Sequence, residues 1–159
     1  KCRIRKPWYS VPSVYSTEIG MLKRSHDTPR LILNRLSAYT TDTAYRIRSD
    51  VGTAEQLVYS FINGLTALSA ELEGRHYGGG VLELVPSEIE RLLLPLPSKI
   101  KPNVADLDKA IRTLPTEMVL EKQSEKVLGG LGLSKSDQAE LLSGWRKLRN
   151  RRHRVSEAA

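Results

Sequence analysis

At 159 residues, with 40% hydrophobic and 27% charged residues, the chain has the length and composition of a folded domain rather than a disordered segment. Twenty-five Lys and Arg against eighteen Asp and Glu leave a net charge of +7, which points to a polyanionic partner: nucleic acid first, an anionic membrane or acidic protein surface second. The single thiol, Cys2, excludes an internal disulfide, and His26, His76 and His153 without clustered cysteines give no zinc-ligand spacing.

No apolar run reaches the roughly 18 residues of a membrane span, and the opening KCRIRKPWYS lacks the apolar core of a signal peptide. A cytoplasmic protein without a membrane partner is therefore expected. A first residue of Lys rather than Met reads as a fragment of a longer protein, or a processed one.

In chain order, Lys1 to Arg5 alternate as a half-buried strand does, with Cys2 and Ile4 on one face. Tyr15 to Arg24 has no clear period and is expected to be loop. The short apolar run from Arg30 to Asn34 predicts a buried strand. In TTDTAYRIR, Thr40 to Arg48, strand spacing puts Thr43, Tyr45 and Ile47 on one side and Ala44, Arg46 and Arg48 on the other. Arg46 and Arg48 then point the same way, either as a solvated face or toward phosphates.

From Thr53 the pattern is helical. Thr53 and Gln56 form a capping-box pair, and an apolar stripe runs from Ala54 to Leu72 before Gly74 stops it. The interior Gly64 implies close packing against another element. Gly78, Gly79 and Gly80 follow Arg75, His76 and Tyr77 and open a strand, VLELV, whose Leu82 and Leu84 share a face. Ser87 and Glu90 read as a second capping box, for a short helix closed by Pro95.

After Leu96 to Pro102 everything is helical. Asn103, Thr116 and Ser134 open three helices, and the last carries Leu141, Leu142, Trp145 and Leu148 into the basic run RKLRNRRHR. The fold class is α+β: a small mixed sheet on the long helix from Thr53 to Glu73, then an all-helical extension. The domain boundary is expected near residue 97, giving regions 1–97 and 98–159.

No catalytic constellation stands out. The carboxylates occupy positions that capping or solvation explains, and no Ser-His-Asp or Cys-His arrangement is present. The triglycine run matches neither a Walker loop nor a dinucleotide turn, since it opens a strand instead of a helix. It reads either as a tight turn or as a backbone that lets N–H groups meet a nucleic-acid backbone. The basic end reads either as a solvated helix terminus or as a phosphate-binding cluster.

The segment LSAELEGRHYGGGVLELVPSEIERLLLPLP, Leu68 to Pro97, closely resembles a signature near the C-terminus of bacterial adenine-specific DNA methyltransferases of type II restriction–modification systems. PRLILNRLSAYTTDTAYRIR, Pro29 to Arg48, and WYSVP at Trp8 resemble the preceding parts, so the likeness covers about residues 1 to 97. It implies a target-recognition region that binds double-stranded DNA. An N-terminal catalytic domain, absent from this chain, would hold S-adenosylmethionine and the Asn-Pro-Pro-aromatic motif, leaving this region without cofactor or catalytic residue of its own.

Base extrusion for adenine methylation requires a grip on the flanking duplex. Arg46, Arg48, Arg75, Arg149 and Arg152 are the expected phosphate anchors. Asn34, Thr40, Thr41 and His76 are the candidates for base edges, with Tyr77 and Gly78 to Gly80 beside them. The expectation is one electropositive concavity shared by Arg46, Arg48 and the triglycine turn. Two other readings compete. One is a stand-alone RNA-binding or protein-interaction module using the basic tail, which deletion of residues 149–159 should abolish. The other is a small enzyme using His76 and nearby Glu residues.

Overall fold

A computed structural model describes residues 15–154, together with Ile4 and residues 7–9. The strand expected at residues 1–5 lies outside the described residues apart from Ile4.

Two small sheets share one stretch of chain. Strands β1 (Ile19–Leu22), β3 (Leu31–Leu33) and β4 (Ala44–Ile47) form the first sheet, in the order β3-β1-β4. Strands β2 (Arg24–Ser25), β5 (Arg75–Tyr77) and β6 (Val81–Glu83) form the second, in the order β2-β6-β5. Every pairing is antiparallel, so the single mixed sheet expected from the sequence is two antiparallel ones. Lys23 is the junction: its N–H donates to the Thr43 carbonyl in the first sheet, and its carbonyl accepts from Leu84 N–H beside the second.

The central strand β1 falls within the stretch expected to be loop. Ile19 and Met21 are buried against the core while Leu22, on the other face, is exposed. An apolar residue on the solvent face and a glycine at position 20 remove the alternation that marks a strand in sequence.

The helix expected from Thr53 to Glu73 divides into α1 (Ala54–Phe61) and α2 (Gly64–Glu73). Thr53 and Gln56 make the reciprocal capping bonds at the start of α1, 3.2 and 2.9 Å. The break is at buried Asn63. Its Oδ1 accepts from Thr66 N–H at 2.9 Å, and its Nδ2 donates to the Ser60 carbonyl at 2.6 Å, satisfying the end of one helix and the start of the next. Gly64 N–H is taken by Ser124 Oγ at 2.8 Å. A Cβ on Gly64 would stand 3.1 Å from Leu142 Cδ2, which is the close approach its sequence position implied.

The second sheet continues into a short helix, α3 (Pro86–Ile89). The reciprocal cap expected from Ser87 and Glu90 is absent: Pro86 occupies the first turn, and Glu88 accepts from Val85 N–H at 2.8 Å. Three α-helices follow among the described residues: α4 (Val104–Thr113), α5 (Thr116–Val127) and α6 (Lys135–His153), with a 3-10 turn at Gly129–Leu131 between the last two. Asn103 caps α4 and Ser134 with Asp137 caps α6, as the sequence predicted.

The two regions expected on either side of residue 97 share one hydrophobic cluster. Ile19, Met21, Leu57 and Leu82 belong to the same cluster as Leu107, Leu120, Val127 and fully buried Trp145. Gly144 of α6 lies against Leu68 of α2.

Gly74 is required by space alone, since its φ is −81°. A Cβ there would sit 2.6 Å from Leu82 Cδ1 and 2.8 Å from the Ala70 carbonyl oxygen. Gly74→Ala is expected to lower the unfolding free energy by about 1–3 kcal/mol, read as a lower urea midpoint with unchanged slope.

Candidate nucleic-acid interface

Alternation along the first sheet sends Ile19, Met21, Tyr45 and Ile47 toward the core and leaves Leu22, Ile32 and Arg46 on the outer face. The guanidinium of Arg46 lies 4.1 Å from the centroid of the Tyr15 ring, and that of Arg48 lies 5.0 Å from the same ring. One aromatic ring thus lies within cation–π reach of both guanidiniums. Leu22 and Ile32 are about half exposed beside them, 53% and 47%.

The polar candidates near this sheet play different parts. Asn34 Nδ2 donates to the carbonyls of Thr17 and Ala38, both at 2.9 Å, and its Oδ1 accepts from Ala38 N–H at 2.9 Å. This amide is used up in closing the 34–38 loop and is not offered to a base edge. The Thr40 hydroxyl is buried and makes no hydrogen bond among the described residues. Thr41 is exposed and shares a 2.8 Å hydrogen bond with the Thr43 hydroxyl.

The hairpin β5–β6 pairs Arg75 with Glu83, His76 with Leu82 and Tyr77 with Val81, and Gly78 to Gly80 form its tip. Gly79 and Gly80 have φ of +78° and +74°, the left-handed region that favours glycine. Arg75 donates from Nε to Glu88 at 2.8 Å while most of its side chain stays in solvent. Burial pushes the Glu88 carboxyl up, but Val85 N–H and Arg75 outweigh it and hold it below its ordinary range. Tyr77 is exposed, with the Arg24 guanidinium 5.9 Å from its ring.

The basic end of α6 is largely structural. Arg152, an expected phosphate anchor, is fully buried, as is its counterion Glu71 on α2. Nε and Nη2 of Arg152 donate to the two Glu71 oxygens at 3.0 and 2.7 Å. Its remaining hydrogens go to the carbonyls of His26, Asp27 and Gly80. No donor is left for a phosphate. Arg149 grips Asp27 at 2.6 and 3.0 Å and is only partly exposed. Arg146 pairs with Glu117.

Two titrating groups sit in this junction. Burial raises the Asp27 carboxyl, while hydrogen bonds from Arg149 and Thr116 and the charges of Arg149 and His153 outweigh that and lower it. Burial lowers the His153 imidazole, its hydrogen bond to the His26 carbonyl opposes this, and the charges of Arg152, Arg149 and His26 lower it further.

The structure brings Arg75, His76, Tyr77 and the triglycine turn together with the end of α6. It does not join them to Arg46 and Arg48 in one concavity. Arg48 borders a depression with Ile19, Ile47 and Thr53, whereas the triglycine turn borders another with His26 and His153. Deleting residues 149–159 would remove the counterion of buried Glu71, so that deletion reports on folding before it reports on a tail. No described group of three or more His, Cys, Asp or Glu is placed to hold a metal ion. No described helix is long and apolar enough to cross a membrane.

Residues 1–128 match the family model described as the C-terminal domain of the type II methyltransferase M.Eco57I. The chain belongs to that family. The match runs past Pro97 through α4 and α5, further than the resemblance read from sequence, and agrees with the shared core. No curated protein and no solved structure shows significant similarity to the chain. Gly78 to Gly80 join two antiparallel strands, and β6 rather than a helix follows them.

Local reading of the sequence missed Tyr15, Asp27 and Glu71. Tyr15 lies in a stretch without period. Asp27 and Glu71 carry no signal, because their partners are 122 and 81 residues away.

Glu71→Gln or Arg152→Met each leaves one buried group without its counterion, and each is expected to cost about 3–5 kcal/mol, with Glu71→Met/Arg152→Met recovering a large part. Urea midpoints followed by Trp145 fluorescence check this. For pH, the unfolded His153 takes a proton near 6.5 and the folded one only lower. The unfolded state therefore binds more protons in that window, and stability falls as pH drops through 6.5. His153→Gln should flatten that part of the profile.

Proposed function

We propose that this chain is the DNA target-recognition region of an adenine-N6 methyltransferase of a restriction–modification system, acting in the cytoplasm. Methyl transfer from S-adenosylmethionine belongs to a catalytic domain outside this chain. Membership in the type II methyltransferase C-terminal family supplies the class.

The observation that carries the DNA-contacting part is the outer face of β4. The Arg46 guanidinium on β4 and that of Arg48, one residue past the strand, lie against one ring and form a cationic pair suited to neighbouring phosphates of one nucleic-acid strand. Such contacts fix register and orientation, which a base-extruding enzyme requires of the part that stays on the duplex.

Duplex binding measured by fluorescence anisotropy should weaken steeply with salt. Arg46→Ala/Arg48→Ala should reduce the magnitude of the log–log salt slope by about 1.8, two phosphate contacts at about 0.9 each. A double variant that keeps the parental slope and affinity would remove the reading. Both side chains are exposed, so a circular dichroism melt should match the parent.

A further inference from the structure

A second feature stands apart from the β4 face. At the hairpin tip lies a depression of about 690 Å3, bordered by His26, His76, the triglycine turn, His153 and Arg154. We propose that it binds a phosphate group, held by the turn's backbone N–H groups, the His26 and His76 imidazoles and the Arg154 guanidinium.

The charges favour an oxyanion. The acids closest to the depression are paired with cations: Glu71 with Arg152, its Oε2 also 3.6 Å from His76 Nε2, and Asp27 with Arg149. Arg154 at its rim and the neighbouring Arg151 are exposed, and neither makes an ion pair among the described residues. The negative end of α6 is itself capped, because Arg154 N–H donates to the carbonyls of Asn150 and Arg151. The unbalanced field at the mouth is thus positive.

Donors and access agree with the charges. None of the three glycine N–H groups bonds to a backbone carbonyl within the turn. A side chain at Gly78 or Gly79 would meet open space, so a ligand can come directly against the main chain. Consecutive amides in such turns form concave anion sites. His26 and His76 are exposed and add ring nitrogens to its edge.

One side of the depression is tied down by buried groups. The Gly80 carbonyl is held by buried Arg152, and His153 Nε2 donates to the His26 carbonyl at 2.9 Å. The two imidazole rings meet edge to face, 4.5 Å between centroids. His153 packs under Gly80, where a Cβ would come within 2.9 Å of its Nδ1. The Gly80 end of the turn is therefore held in place before a ligand arrives.

The test is a titration of the full chain with inorganic phosphate, and separately with a short DNA duplex, followed through the amide resonances of Gly78, Gly79 and Gly80. Saturable shifts at these amides with phosphate are expected. Arg154→Gln should weaken the binding by about tenfold, while Lys101→Gln, a distant exposed cation, should leave it unchanged. Gly78→Val keeps an allowed backbone and open surroundings, so it should melt like the parent yet lose the phosphate shifts.

If the duplex moves the same amides at lower concentration, the source is the nucleic-acid backbone. If only free phosphate moves them, the source is a small phosphate. Glycine amides unmoved by either ligand, or shifts untouched by both variants, would overturn the proposal. Duplex binding through Arg46 and Arg48 is read separately, so the two proposals can fail independently.

Discussion

The buried pair of Arg152 and Glu71 is the interaction on which the rest of the molecule depends. Removing two full charges from water costs several kcal/mol each, and only complete hydrogen bonding offsets it. Here both carboxylate oxygens and three backbone carbonyls receive the five guanidinium hydrogens. One side chain at the end of α6 thereby fixes α2, the turn after β2 and the hairpin tip. Arg149 and Asp27 repeat the tie one turn earlier on the helix, with Thr116 of α5 bonded to the same carboxylate.

This spending of cations decides where the positive charge is felt. Much of the arginine content is neutralised within the fold, in pairs such as Arg24 with Glu83, Arg75 with Glu88 and Arg146 with Glu117. Exposed guanidiniums stand together at two places: Arg46 and Arg48 against the Tyr15 ring beside the first sheet, and Arg151 and Arg154 near the hairpin tip. A uniform basic surface would bind any polyanion equally. Two separated sites of fixed geometry can impose a direction on an extended ligand.

What was legible in the sequence was local. Thr53 with Gln56, Asn103 and Ser134 announced their helices because a cap and its acceptors lie within four residues. The hairpin tip was legible because three glycines leave few alternatives, and the facing of Arg46 and Arg48 followed from strand spacing. The break at Asn63 was not, since an asparagine inside an apolar stripe gives no hint that Ser124 will capture the next N–H. Arg152 misled for the same reason. Within a run of cations it reads as a solvated tail, and only the distant carboxylate of Glu71 makes it a core residue.

The chain distance between those two residues bears on how the protein is made. Glu71 leaves the ribosome 81 residues before its counterion, several seconds at ordinary synthesis rates of roughly 5–20 residues per second. Until then the interior that will enclose this carboxylate has reason to stay open, because closing it would strand a charge. The nascent chain therefore gains its final packing only when the last helix docks, and a truncation anywhere in that helix acts on maturation of the entire domain.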